Sequence, residues 1–307
     1  MLSIISPVYK AEKIVDELVL RIKSEAEKIT TDYEIILVED GGGDNSWLKI
    51  EENCLRDAHV KGVKLSRNFG QHFAITAGLE QSVGDVVIVM DCDLQDNPIY
   101  FHELYQKYKE GFDIVYTKKT KREHSFFKNI WAYFFNFIFN FLIDNKDSKS
   151  SNAVGSYSLL SRKVVDSFLK INDSRRHYLM VLRRLGFSNS TIEIQHDKRF
   201  EGKSSYNMKK LILHAIDGVT SQSDKLLRMM AGFGFILSLL SFIISLIVVI
   251  MYFIRPFKAG WPSLIILMLF LGGLIILSVG ICGIYIGKIF EQTKNRPLYL
   301  IDKKLNL

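Results

Sequence analysis

Two carboxylates, Asp91 and Asp93, stand two residues apart directly after the apolar run Val86–Met90. If the chain turns there, both can reach a hard divalent cation, Mg2+ or Mn2+, with diphosphate oxygens and water completing its shell. A metal so held would neutralise the charge developing on a departing nucleotide diphosphate. Asp-x-Asp is frequent in ordinary turns. The buried strand before it and the phrase Leu94-Gln95-Asp96-Asn97-Pro98 after it give this one more weight. A second acidic cluster, Glu39-Asp40-Gly41-Gly42-Gly43-Asp44, follows the apolar run Tyr33–Val38. Consecutive glycines let backbone approach a ligand closely, and Asp40 can accept hydrogen bonds from a base or ribose. A turn without a ligand has the same composition, but the pattern recurs at two strand ends.

Such residues need a frame. Leu2–Ser6, Tyr33–Val38, Gly62–Ser66 and Asp85–Met90 read as strands, and Ala11–Lys28, Ser46–His59 and Phe73–Ser82 as helices. In the first helix Ile14, Leu18 and Ile22 share one face. Strand–helix alternation with continuously apolar strands specifies an α/β fold whose parallel sheet is covered on both faces. Ligands of open sheets bind beyond the carboxyl ends of the strands, where both acidic clusters fall.

The chain of 307 residues has a net charge of +7 and 24% charged residues, yet its long apolar runs lie after Met229. Residues 229–254 and 263–287 are uncharged throughout, and each exceeds the roughly 20 residues that span a hydrocarbon core. They are expected to form a transmembrane hairpin joined by Arg255–Pro262. Lys209, Lys210, Lys225 and Arg228 precede it and Lys288, Lys294, Arg296, Lys303 and Lys304 follow, against Arg255 and Lys258 in the link. That bias places both ends in the cytosol, and with them the N-terminal domain and both termini of an integral membrane protein. Residues 205–228 carry apolar side chains at helical spacing beside lysines, as an amphipathic helix on membrane lipid does. The aromatic stretch Glu123–Leu142 is too polar and short to span; a buried core helix and an interfacial helix both fit it. The domain plan is then 1–204 as a cytosolic domain, 205–228 as a juxtamembrane helix, 229–287 as the hairpin and 288–307 as a basic tail. Cys54, Cys92 and Cys282 are too dispersed for a disulfide framework or zinc site. No signal peptide is expected. No nucleic-acid motif accompanies the positive charge, so nucleic acid is not an expected partner.

Ser6-Pro7-Val8-Tyr9, Val38–Asp44, Leu65-Ser66-Arg67-Asn68-Phe69-Gly70 and Met90–Pro98 occur in the order and rough spacing of family 2 glycosyltransferases. More narrowly, the set resembles the polyprenyl-phosphate branch, relatives of dolichol-phosphate mannose synthase and bacterial undecaprenyl-phosphate glucosyltransferases. Asp93-Leu94-Gln95-Asp96, Arg199-x-x-Gly202-x-Ser204-Ser205-Tyr206 and the paired spans carry that narrower likeness. The resemblance implies a GT-A-type, Rossmann-like sheet, mixed but mostly parallel, with flanking helices. It implies an inverting transfer of one sugar from a nucleotide sugar, a UDP-sugar foremost, to polyprenyl phosphate, which in a bacterium is undecaprenyl phosphate. The product would feed cell-envelope or surface-polysaccharide glycosylation.

The resemblance also assigns residues. Pro7, Tyr9 and Asp40 would line the nucleoside pocket, with Asp91 close to the diphosphate and Arg67 and Asn68 on the nucleotide–sugar side. Asp91, Asp93 and Gln95 would hold Mg2+ or Mn2+. Lys118, Lys119, Lys121 and Arg122 fall where the family places basic residues for the acceptor phosphate, and Arg199 and Lys203 are further candidates. Arg122 joins Asp91 and Asp93 as a catalytic candidate.

Two departures stand out. The family's Asp-Asp-Gly-Ser becomes Glu39-Asp40-Gly41-Gly42, which keeps Asp40. Ser156 stands where many relatives carry an aspartate regarded as a catalytic base. A serine cannot fill that role at neutral pH. A phosphomonoester acceptor with a second pKa of about 6 is already mostly a dianion, however, and needs positioning more than deprotonation. Another lipid acceptor and a non-catalytic membrane scaffold of the same fold are the alternatives; a homo-oligomer is compatible with each.

Overall fold

The computed structural model describes residues 1–119, 154–171, 173, 176–195 and 260–307, with scattered positions between 227 and 250. The expectations for Lys121, Arg122, Arg199, Lys203, the aromatic stretch Glu123–Leu142 and nearly all of 205–228 lie outside these residues. The chain divides into two compact units. One comprises residues 1–123, 149–204 and 296–307, the other residues 124–148 and 205–295.

In the first unit β1 (Leu2–Val8), α1 (Val15–Ala26), β2 (Tyr33–Glu39), α2 (Ser46–Arg56), β3 (Val60–Leu65), α3 (Gln71–Gln81) and β4 (Val86–Val89) alternate. After α4 (Phe101–Lys109) come β5 (Ile114–Lys119), β6 (Val154–Ser161), α5 (Arg162–Lys170), α6 (Tyr178–Leu185) and β7 (Asn189–Ile194). Strand β8 (Ile301–Leu305) completes one eight-stranded sheet in the order β7-β5-β6-β4-β1-β2-β3-β8. The centre, β4-β1-β2-β3, is parallel, while β6 and β8 run antiparallel to their neighbours. The expected α/β sheet with flanking helices is therefore present, and it is mixed.

Every residue of β1 and β2 is buried, because both sheet faces are covered. Alternate side chains enter opposite cores, as a period of two requires. Leu2, Ile4, Ile35 and Leu37 pack with α1 and α2 residues such as Leu18, Ile22, Trp47 and Ile50. Ile5, Ile36 and Val38 pack on the other side with Ala74, Ile75 and Leu79 of α3 and Val164 and Phe168 of α5. Helix α3 lies so close to β1 that a Cβ at Gly78 would meet Ile5 Cγ2 at 2.4 Å.

The tail departs from expectation. Residues 301–305 lie within the stretch 288–307 expected as a basic tail, yet they pair with β3. Ser66 donates its N–H to Leu300 O at 2.9 Å, and Asn306 Nδ2 donates to Cys54 O at 2.8 Å and Val60 O at 2.9 Å. Lys304 Nζ donates to Gln81 Oε1 at 2.7 Å, and the Tyr299 hydroxyl donates to Glu80. Tyr299, Ile301 and Leu305 pack half-buried against the two cores, while Asp302, Lys303 and Lys304 face outward.

In the second unit, α7 (Trp261–Thr293) is a helix of 33 residues. It exceeds the expected span 263–287 at both ends, because Lys288 ends the apolar run without ending the helix. Its segment Leu271–Phe290 is the one helix among the described residues long and apolar enough to cross a membrane. Ile275, Ile276, Val279 and Ile286 on it are exposed. Of the other expected span, 229–254, the described positions are helical.

Candidate active site

The register of the sheet gathers the candidate residues at one edge. Val8, Glu39, Leu65 and Val89 end four strands that run in the same direction. Ser158 on β6 pairs with both Val89 of β4 and Tyr116 of β5. Lys118, Lys119 and Ser156 therefore lie toward the edge from which Asp91 and Asp93 emerge.

Asp40 follows β2 and is only 3% exposed. Its Oδ1 accepts the Phe69 N–H at 2.7 Å and its Oδ2 the Gly70 N–H at 2.9 Å. Burial holds its pKa above the ordinary carboxylate value, against the pull of those two N–H groups. The side chain expected to read a nucleoside thus also organises the loop after β3. The two loops touch at Gly41, where φ is 61° and a Cβ would lie 2.3 Å from Asn68 N and 2.4 Å from Arg67 C. Only glycine meets both conditions. Gly41→Ala should part the loops and raise the donor KM at least tenfold, since a left-handed alanine costs about 1–2 kcal/mol before any clash is relieved. Steady-state kinetics with varied donor checks it.

The loop after β1 is tied in as well. Ala11 N–H donates to Ser46 Oγ at 2.9 Å, and Ser46 Oγ donates to Asp44 Oδ2 at 2.8 Å. Pro7 is buried near the end of β1, and Tyr9 just beyond it is 47% exposed. Lys10, with φ at 52°, places its ammonium 5.4 Å from the Tyr9 ring centroid. Arg67 and Asn68 are exposed, and the Arg67 guanidinium lies over the Phe69 ring at 4.1 Å.

After β4 the chain turns tightly. Gln95 donates its N–H to Asp93 Oδ1 at 3.1 Å, and Leu94 between them is buried with φ at 57°. Asp91 Oδ1 accepts from Gln71 Nε2 at 2.6 Å and from Ser156 Oγ at 2.9 Å. Burial pushes the thiol of Cys92 up to about 12, with Asp91 and Asp93 adding to the rise against a backbone hydrogen bond involving Tyr9. It is a protonated filler at neutral pH, not a nucleophile. Among the described residues no three His, Cys, Asp or Glu side chains form a metal cage. Two carboxylates on one turn instead suit a hard cation that takes most of its shell from substrate oxygens and water.

The structure thus brings Asp40, Arg67 and Asn68 together, and joins Asp91 to Ser156. Lys118 Nζ lies 3.5 Å from Glu193 Oε1 on β7, which compensates part of its charge. Sequence reasoning passed over Gln71. It directly follows the Leu65–Gly70 phrase, and that adjacency was the available signal.

Glycosyl transferase family 2 is the family whose sequence model matches this chain, over residues 3–169. The glycosyltransferase YkcC of Bacillus subtilis is 34% identical over 99% of this chain and 94% of its own length. The undecaprenyl-phosphate 4-deoxy-4-formamido-L-arabinose transferase of Proteus mirabilis is 32% identical over 98% of this chain and 93% of its own. Among solved structures, glucosyl-3-phosphoglycerate synthase from Mycobacterium tuberculosis was crystallised with Mn2+, uridine diphosphate and glucosyl-3-phosphoglycerate. It superposes with a TM-score of 0.51 over 72% of this chain and 78% of that one, at 13% identity. That likeness is one of fold, the GT-A type. The matched span 3–169 holds Asp40, Arg67, Asn68, Asp91, Asp93 and Ser156, and on that footing the chain belongs to glycosyl transferase family 2 and is a glycosyltransferase.

Proposed function

We propose that this enzyme transfers one sugar, with inversion, from a UDP-sugar to the phosphate of a polyprenyl phosphate at the cytosolic face of a membrane. The observation that carries the donor half is the convergence of three loops on Asp40 and Asp91 at the carboxyl edge of the sheet. In this reading Pro7, Tyr9 and Asp40 take the nucleoside, with Arg67 and Asn68 on the sugar side. Asp91, Asp93 and Gln95 would hold Mg2+ or Mn2+, which when bound stabilises charge on the leaving diphosphate. A phosphate oxygen of the acceptor attacks the anomeric carbon, the bond to the diphosphate breaks, and its electron pair leaves with UDP. No proton need be removed, because the acceptor is largely a dianion near pH 7, so Ser156 is no obstacle. Lys118 and Lys119, with Lys121, Arg122, Arg199 and Lys203, are the candidates for the acceptor phosphate.

The lipid half draws on the Proteus mirabilis relative, named for undecaprenyl phosphate, and on chain connectivity. Strand β8 follows α7 in the chain and belongs to the catalytic sheet. A chain that leaves a domain on one face of a membrane and returns to that domain crosses an even number of times. Two crossings, residues 229–254 and α7, meet that condition, with the catalytic domain cytosolic as the flanking lysines and arginines require.

The test is transfer of radiolabel from a panel of UDP- and GDP-sugars into the organic phase by the full-length protein. Label should enter only with polyprenyl phosphate and a divalent cation, and EDTA should abolish it. Transfer to diacylglycerol or to unphosphorylated polyprenol would move the acceptor assignment to another lipid. Nucleotide binding without transfer to any acceptor would make the chain a scaffold.

A further inference from the structure

Asp91 is gripped from two directions. Gln71, in the first turn of α3, and Ser156, near the start of β6, both donate to the same oxygen, Oδ1, at 2.6 and 2.9 Å. A carboxylate only accepts, so the Gln71 amide must present its nitrogen. Neither arm is loose. Gln71 is the next residue after Phe69 and Gly70, whose N–H groups hold both oxygens of Asp40. Helix α3 is seated against β1 at Gly78. On the other side the Ser156 carbonyl accepts the Ser158 hydroxyl at 3.0 Å, and Ser158 is joined to the buried Tyr178 hydroxyl at 2.8 Å.

We propose that Gln71 and Ser156 are positioning residues that fix Asp91 for the nucleotide diphosphate, and that the enzyme needs a hydrogen-bond donor, not a base, at position 156. The inference rests on the donor reading above. Hydrogen bonds to an ionised acceptor are about twice as strong as neutral ones, so two on one oxygen set its direction firmly. An aspartate at 156 would bring a second carboxylate to the place from which Ser156 donates. Two carboxylates would then share one site, where like charges either repel or trap a proton between them, so Asp91 would lose either its position or its charge. The serine is therefore suited to its partner, and restoring the family's aspartate should harm the enzyme. The first turn of α3 also links the two carboxylates of the donor pocket, since the backbone of Phe69–Gly70 serves Asp40 and the side chain of Gln71 serves Asp91.

The experiment is calorimetric binding of UDP and GDP to the full-length protein, with and without Mn2+, alongside steady-state transfer kinetics. Gln71→Ala and Ser156→Ala should each weaken nucleotide binding about tenfold and raise the donor KM in step, with the acceptor KM unchanged. The double variant should lose less than the product of the two, because both bonds end on one oxygen. Ser156→Thr, which keeps a hydroxyl, should bind within about threefold of wild type, and Ser156→Asp should lose more than Ser156→Ala. Thermal unfolding without nucleotide should not separate Gln71→Ala from wild type, which excludes a merely structural role. Turnover by Ser156→Asp at or above the wild-type rate would overturn the proposal, as would wild-type nucleotide affinity in both alanine variants. If wild type binds neither UDP nor GDP, the donor reading fails first and this inference falls with it.

Discussion

Replacing Asp93 with alanine should lower transfer by about two to three orders of magnitude and leave the protein folded. Removing one preorganised charge-stabilising group from an active site costs about that much, and Asp93 stands on the turn that would carry the diphosphate's cation. The same carboxylate also accepts the Gln95 N–H at 3.1 Å, so alanine removes a turn contact as well as a charge. Asp93→Asn separates the two effects, because the asparagine oxygen can still accept that N–H while the negative charge is gone. Both variants should be equally inactive. Only the alanine should unfold earlier, by an amount on the order of 1 kcal/mol. Initial rates with saturating donor and acceptor, read beside thermal unfolding, check both parts. An asparagine variant with near wild-type rates would show that charge at this position is dispensable.

Ending the chain before Arg296 should be nearly as damaging, though the deleted residues include none of the candidate site residues. The truncation strips β8 from β3 and removes the half-buried Tyr299, Ile301 and Leu305 from the two cores. At roughly 1–1.5 kcal/mol for each half-buried side chain, the loss is about 3–4.5 kcal/mol, a large fraction of ordinary domain stability. It also frees the Ser66 N–H from Leu300 O, at the root of the loop that binds Asp40. The truncated protein should therefore unfold well below the wild-type midpoint and show a raised donor KM in whatever fraction remains folded. Lys303→Ala, on the exposed face of the same strand, should change stability by less than about 0.5 kcal/mol. A truncated enzyme with wild-type midpoint and donor KM would make β8 an ornament of the sheet.

These two cases mark what the sequence made legible. Strands β1, β2 and β4 are buried on both faces, so their apolar runs announce them, and a carboxylate just past such a run is conspicuous. Asp40, Asp91 and Asp93 were found that way. Strand β8 is legible only in hindsight, because an edge strand whose central residues Asp302, Lys303 and Lys304 are all exposed resembles a basic tail. Lysines on an edge are a common guard against aggregation, so the composition that hides the strand also suits it. Gln71 was missed for a different reason. Its partner lies 20 residues away, and no periodicity or spacing rule connects an amide in a first helical turn to a carboxylate after the next strand. Helix α1 begins at Val15, later than Ala11, and the residues before it tie two loops together, the Ala11 N–H donating to Ser46 Oγ. Where a residue's role depends on a distant partner, the local pattern is silent.

The position of β8 after α7 in the chain also sets an order of events during synthesis. Strands β1 to β4 can pair as they emerge, since chains fold N-terminal parts first, but the outer edge of β3 has no partner until translation has passed α7. On the proposed membrane reading, α7 would by then have to be committed to the bilayer, or its apolar surface would compete for the same newborn chain. Full strength of the sheet is thus withheld until the apolar helix has been disposed of. A polypeptide whose membrane segment fails to insert would keep an open strand edge, the kind of surface that chaperones and proteases recognise. Maturation of the catalytic domain would in this way report on successful delivery to the membrane, with no separate sensor needed.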